Sequence, residues 1–243
     1  MQYKNLSKYY QDLILDKNYD GWTDYMLSVV KSCMQFGVGY DVGCGTGIFT
    51  RKLKKAGYEV KGVDISSEML AVAKDLSVKE GVYIDYLLSD MCALKSINKL
   101  DFITVVNDGL NYILQKDIKR CFSAFSKCHK KGGILLFDIS TEHKLKTVLN
   151  GNMFGSDDED LSYIWLSDYD NNDKKLTMDL SFFEKQGDVY KRFDERQIEY
   201  AHTTSDLLSE LKTNGFELIS LTSAYGEELS DNSERAVFLA RKK

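Results

Sequence analysis

Residues 38–47, Val38-Gly39-Tyr40-Asp41-Val42-Gly43-Cys44-Gly45-Thr46-Gly47, constrain this chain more than any other stretch. A β-prone run enters three glycines, each separated by one residue, and residues 48–53 continue with apolar positions at helical spacing. The pattern predicts strand, tight turn and helix. Glycine suits a turn whose φ/ψ values a Cβ forbids and whose backbone must approach something seated at the helix N-terminus. A ligand bed is therefore expected here. The spacing excludes two common versions of such a bed. A G-x-G-x-x-G dinucleotide turn needs its third glycine where Ile48 stands, and a P-loop needs a lysine that Thr46-Gly47-Ile48 does not supply.

With 243 residues the chain is long enough for one α/β domain spanning 1–243, with a modest insertion. A net charge of −5 and a pI near 5.4 argue against a sequence-independent grip on nucleic acid. Five cysteines with no C-x-x-C pair suggest neither a disulfide framework nor a zinc site, and reduced thiols in the cytoplasm are expected. His129 and His143 lack the spacing of metal ligands and are expected at the surface. The N-terminus has no apolar core like that of a signal peptide, and no run of about 18 apolar residues occurs. A soluble chain without a membrane anchor is the expectation.

Acid-x-G-x-G-x-G at Asp41, Gly43, Gly45 and Gly47 resembles the first motif of class I S-adenosylmethionine (SAM)-dependent methyltransferases. Asp64 and Asp90, each after a successive predicted strand, extend the likeness. The resemblance implies a Rossmann-like seven-stranded α/β sheet with helices on both faces, its last strand antiparallel, and SAM as the methyl donor. It also implies roles. Asp41, Gly43, Cys44, Gly45 and Gly47 would form the bed, Asp64 would take both ribose hydroxyls, and Ile65 and Met69 would lie against the adenine. Asp90 would accept from the adenine amino group beside Met91. Two of these have plain structural alternatives: Asp64 as the cap of a helix starting near Ser66, and Met69 as core.

The remaining predicted elements place further candidates. A helix over 47–56 leads to a strand over 58–64, and alternation predicts a third strand over 83–88. Residues 100–106 read as a buried strand leading into Asn107-Asp108-Gly109-Leu110-Asn111-Tyr112. In an open parallel sheet, ligands gather at the carboxyl ends of the strands where the winding reverses, so this loop is expected to face the methyl group and its acceptor. Asn107 is assigned to the cofactor, Asp108, Asn111 and Tyr112 to the substrate, and a plain Asn/Gly loop is the alternative. After a helix over 118–128, the fifth strand, 134–138, ends in Asp138, which either meets a cationic substrate or caps the segment near Thr141.

Residues 5–36 read as two helices, an N-terminal lid in which Tyr9 and Trp22 either cover the cofactor or simply pack on the sheet. The spacing of Tyr9, Tyr19 and Trp22 resembles the opening of small-molecule N-methyltransferases, including those that methylate amino sugars, although Tyr10 stands where those proteins carry Asp. Residues 151–200 change character. After an acidic, loop-like 151–160, alternating strands over 161–167, 175–184 and 188–200 predict a small antiparallel sheet inserted after strand five. Arg192, Arg196 and Tyr200 are candidate substrate contacts, with cross-strand charge pairs on a wet face as the alternative. A helix over 203–214 and strands over 216–222 and 234–240 close the chain.

The expected reaction is in-line transfer of a methyl group to nitrogen or oxygen of a small molecule, without a metal. Tyr9, Asp108 and Tyr112 are candidates for orienting the acceptor or taking its proton. Transfer to RNA or protein, and SAM binding without transfer, are the alternatives. A monomer or homodimer is expected, with no membrane partner.

Overall fold

The computed structural model describes Ser7, Tyr9 and residues 18–243. The helix expected before Trp22 otherwise lies outside the described residues. Alternating apolar side chains make a sheet buried on both faces. In β4 (Leu100–Val105) and β5 (His129–Ser140), Ile103, Val105, Leu135 and Phe137 enter one core, while Phe102, Ile134 and Leu136 enter the other. Helices α1 (Tyr19–Cys33) and α2 (Ile48–Lys55) cover the second face. Helices α4 (Ile118–Cys128) and α5 (Thr204–Thr213) cover the first, α4 through Ile118, Cys121, Phe122, Phe125 and Cys128. The helix α3 (Ser67–Lys79) packs on β2 (Glu59–Asp64) and β3 (Tyr86–Leu88).

With β1 (Val38–Val42), β10 (Phe216–Thr222) and β11 (Arg235–Lys242), the seven strands run in the order β10-β11-β5-β4-β1-β2-β3. β1 pairs in parallel with both β2 and β4, whereas β11 is antiparallel to β5 and β10. The order reverses between β1 and β4, so a crevice opens beyond their carboxyl ends. The architecture agrees with the expectation. A second sheet of four antiparallel strands follows β5: β6 (Met153–Asp157), β7 (Leu161–Asp170), β8 (Lys175–Gln186) and β9 (Val189–Tyr200). Leu145, Trp165, Tyr169, Leu176, Met178 and Ala201 form the core beneath it.

Several expectations need correction. Residues 153–157, expected as loop, pair with β7 as an edge strand, and the acidic run only turns the chain after it. Strand β3 is confined to Tyr86–Leu88 because only those residues meet Gly62–Asp64, and Tyr83 is left exposed. His129 is buried, not at the surface: its Nδ1 and Nε2 lie 2.8 Å from the carbonyl oxygens of Phe125 and Ile134, and burial lowers its pKa. All five cysteines are free thiols, and among the described residues no group of His, Cys, Asp and Glu is arranged for a metal ion. Among the described residues no helix is long and apolar enough to cross a membrane.

Gly47 shows why the turn is glycine-rich. It caps α2 at φ +76°, and a Cβ there would sit 2.5 Å from the Tyr86 hydroxyl and 3.2 Å from Ala73 Cβ. Gly47→Ala is therefore expected to lower stability by about 1–3 kcal/mol, from left-handed strain and displacement of Tyr86 from Ser77. Urea unfolding at neutral pH checks this.

Candidate active site

A cavity of about 430 Å³ occupies the crevice beyond β1 and β4. Asp41, Gly43, Cys44, Gly45, Asp64, Ile65, Met69, Asp90, Met91 and Asn107 all line it. Asp64 is mostly buried in the wall, and its two oxygens accept one backbone N–H each, from Gly45 at 2.8 Å and Ser66 at 2.9 Å. Burial raises its pKa, and those amides oppose the shift. Asp64 is not the cap of α3, because the Ser66 hydroxyl accepts from Met69 N at 3.2 Å. Asp90 accepts from Cys92 N at 2.8 Å and remains at the cavity wall.

Asp41 braces the turn from beneath. Thr50 Oγ1 donates to it at 2.6 Å and Thr104 Oγ1 at 2.9 Å, tying β1 to α2 and β4. Burial pushes its carboxyl from 3.8 up to about 6, although the two hydroxyls oppose the rise. A carboxyl raised in the folded state contributes stability that is complete below its unfolded pKa and lost as pH climbs through the folded value. From 3.8 to about 6 the loss is about 3 kcal/mol. Asp41→Asn is expected to remove this decline, as read by urea unfolding at about pH 4 and about pH 7.

Beyond β4, Asn107 and Asp108 both adopt left-handed backbone, at φ 67° and 54°. Asp138, fully buried, holds this bend by accepting from Asn107 N at 2.7 Å and Asp108 N at 3.1 Å. Arg235 pairs with Asp138 and, at 3.1 Å, with Asp108. Burial raises the Asp138 carboxyl while Arg235 opposes it. Asp138 thus neither faces a substrate nor caps the segment near Thr141. Its carboxylate is used up in shaping the loop.

Other candidates sit elsewhere. Trp22 does not line the cavity; it is buried against Tyr25 and Tyr225 and forms a floor 4.9 Å beneath the Arg235 guanidinium. Tyr19, one helical turn earlier, lines the cavity instead. Tyr9 lies against the inserted sheet, bonded to Glu184 and stacked on Phe193, not at the cavity wall. Gly47 lies off the wall, where its role is the packing described above. Asn111 is a buried clamp: its Nδ2 donates to Ser140 O and Tyr200 O, and its Oδ1 accepts from Ser140 N. Arg196 pairs with its cross-strand neighbour Asp179 in a bidentate contact, Nε and Nη2 donating to the two carboxylate oxygens at 2.6 and 2.9 Å, on an exposed face.

A second cavity, about 890 Å³, opens between the loop after β4 and the inserted sheet, and it shares Asn107 and Tyr112 with the first. Asp108 lines this one. The end of β9 is the partition. Its alternate side chains Ile198 and Tyr200 face the first cavity, and Gln197 and Glu199 the second. Tyr112 Oη donates to Glu199 Oε1 at 3.3 Å.

The comparisons with known proteins address the same crevice. The family described as "Methyltransferase domain" matches residues 40–133. A protein of Geobacillus sp. (strain WCH70), named among methyltransferases, is 31% identical over 247 residues, covering 100% of both chains. The crystal structure of a SAM-dependent methyltransferase from Clostridium acetobutylicum ATCC 824 is 31% identical, covers 99% of this chain and 98% of its own, and superposes with a TM-score of 0.87. This chain belongs to the class I SAM-dependent methyltransferases. A sugar N-methyltransferase from Streptoalloteichus sp. ATCC 53650 is similar in fold alone, at 18% identity and a TM-score of 0.77, covering 94% of this chain and 90% of its own.

In this methyltransferase, the sequence placed Tyr19 in the N-terminal spacing without giving it a contact, and gave no sign of Thr46, Ser89 and Ile198 in the first cavity or of Gln197 and Glu199 in the second. The last three lie on β9, whose placement beside the crevice no local pattern announces. A Tyr at 19 and a Thr inside the glycine turn were visible, and only their side-chain directions were not.

Proposed function

We propose that this methyltransferase holds SAM in the first cavity and transfers its methyl group to nitrogen or oxygen of a small molecule held in the second. The carrying observation is that two cavities meet at Asn107 and Tyr112, divided by one strand end. The residues of the first cavity suit the donor. Gly45, at φ +53°, has nothing within 4 Å of where a Cβ would stand, so its backbone is open to a ligand. Thr46 Oγ1 is buried without a hydrogen-bond partner. Each Asp64 oxygen retains a lone pair for a ribose hydroxyl, and Asp90 beside Met91 suits an adenine edge and face.

When bound, SAM supplies a methyl group already activated by its positive sulfur. The chain's part is alignment, which is worth up to roughly 7–11 kcal/mol in well-oriented reactions. The Asp138–Arg235 pair holds the bend that puts Asn107 at the junction and Asp108 in the second cavity, and Tyr112, at the junction, is placed to orient the acceptor. Asp108, Glu227, Glu228 and Glu234, set against Lys144 and Arg235, leave the lining of the second cavity net acidic, which disfavours phosphate-bearing acceptors such as RNA. The name of the fold neighbour that acts on a sugar nitrogen also supports a small acceptor. Incubation with methyl-labelled SAM and a bacterial metabolite extract is expected to label a small molecule; label confined to RNA or protein would overturn the reading.

A further inference from the structure

Buried polar atoms without partners are rare, because each costs about 1–3 kcal/mol in lost hydration. Three of the six such atoms among the described residues belong to side chains lining the second cavity: Glu199 Oε2, Gln197 Oε1 and Trp165 Nε1. Glu199 is 5% exposed, Gln197 3% and Trp165 9%. The Gln197 amide is oriented by its Nε2, which donates to Glu195 Oε1 at 3.0 Å and so leaves Oε1 as the open acceptor. Glu199 and Gln197, two residues apart, share one face of β9, so both unpartnered oxygens belong to the same side of the strand. Trp165, on β7, presents one donor. Between them Leu149, Phe154, Met178 and Leu180 supply apolar wall.

A ligand that satisfies this set carries a head rich in N–H donors, an apolar body, and an oxygen acceptor on that body. Resting on the two-cavity reading above, we infer that the second cavity takes a primary or secondary amine, and that Glu199 Oε2 receives a proton from its ammonium group. Loss of that proton turns the Glu199 carboxylate into a carboxylic acid and frees the nitrogen lone pair. The lone pair then forms the new nitrogen–carbon bond as the methyl carbon–sulfur bond breaks, its electrons going to sulfur. The product leaves as the N-methylated ammonium with S-adenosylhomocysteine, and Glu199 returns its proton to water. Charges and atoms balance without a metal or redox partner.

Other groups around Glu199 agree with this role. Asp108, from the loop after β4, opposes its ionisation, while Lys144, the Tyr112 hydroxyl and Arg235 favour it. Burial is the largest influence, and with Asp108 it pushes the carboxyl up to about 8, so the empty site holds Glu199 mainly as the acid at neutral pH, and its carboxylate, once formed, is a stronger base than a solvated one. An arriving cation lowers that value again.

The test uses 4-methoxybenzylamine, with 4-methoxybenzyl alcohol as the neutral match, titrated calorimetrically into the protein with S-adenosylhomocysteine present. The wild type is expected to bind the amine in the millimolar range, and Glu199→Gln at least about tenfold more weakly, with the alcohol unaffected. In protein carrying ¹³C-labelled glutamate carboxyls, the resonance missing from Glu199→Gln is expected to titrate at lower pH once the amine is added. Trp165→Phe, which keeps an aromatic ring but removes the N–H, is expected to weaken the methoxy amine more than benzylamine. Equal amine affinity in wild type and Glu199→Gln, no amine binding by the wild type, or an unmoved Glu199 titration each overturns the inference. S-adenosylhomocysteine binding by the same samples separates this failure from failure of the donor site, which would abolish that binding as well.

Discussion

Asp64→Ala is expected to weaken SAM binding about 100-fold or more in calorimetry, with a smaller loss of stability. Two charge-assisted hydrogen bonds to ribose, each worth about 1.5–3 kcal/mol, set the scale. The carboxylate is also structural, because it collects the N–H groups of Gly45 and Ser66. Removing it loosens the glycine turn as well as the sugar contact, so Asp64→Asn is the informative companion. The amide keeps an oxygen for one backbone N–H yet loses the charge, and it is expected to fall between wild type and alanine. Unchanged affinity in Asp64→Ala would remove this residue from the donor site.

Arg235→Ala is expected to destabilise the protein by about 3–5 kcal/mol, since it leaves a buried carboxylate without its countercharge. Asp138 is fully buried, and Asp108 depends on the same guanidinium. The variant also loses the cation seated over Trp22. Its pH dependence identifies the cause. An unpaired buried carboxyl has a raised folded pKa, so stability is retained in acid and lost as pH rises through that value. The deficit relative to wild type is therefore expected to shrink as pH falls, by urea unfolding across the acidic range. A deficit independent of pH would assign the loss to packing instead. Because Asp138 also holds the two left-handed residues Asn107 and Asp108, the same variant is expected to weaken SAM binding through Asn107.

The roles of Asp138 and Trp22 illustrate where reading along the chain stops. Asp138 ends a strand on the rim, as substrate-facing acids do, but Arg235 lies 97 residues further on and reaches it only because β11 inserts antiparallel beside β5. Trp22 has the spacing of a lid residue, yet that same arginine engages its ring from the sheet side. Asn111 is similar: its amide joins Ser140 to Tyr200, residues from two separate sheets. Each of these polar or aromatic side chains serves a partner distant in sequence.

The glycine turn and the carboxylates that line the first cavity were legible because their pattern is local. A strand, three glycines at positive φ and a helix follow one another within residues 38–55, and carboxylates at the ends of neighbouring strands arrive in register once the sheet is parallel. Hydrophobic alternation also determined that both faces of that sheet would be buried, and that a second, antiparallel sheet would follow β5. The second cavity and its partition were decided by tertiary structure alone. Glu199 and Ile198 are neighbours in sequence, but strand alternation sends them to opposite sides, and only the docking of β9 beside Tyr112 makes those sides a buried carboxyl in the second cavity and a wall of the first.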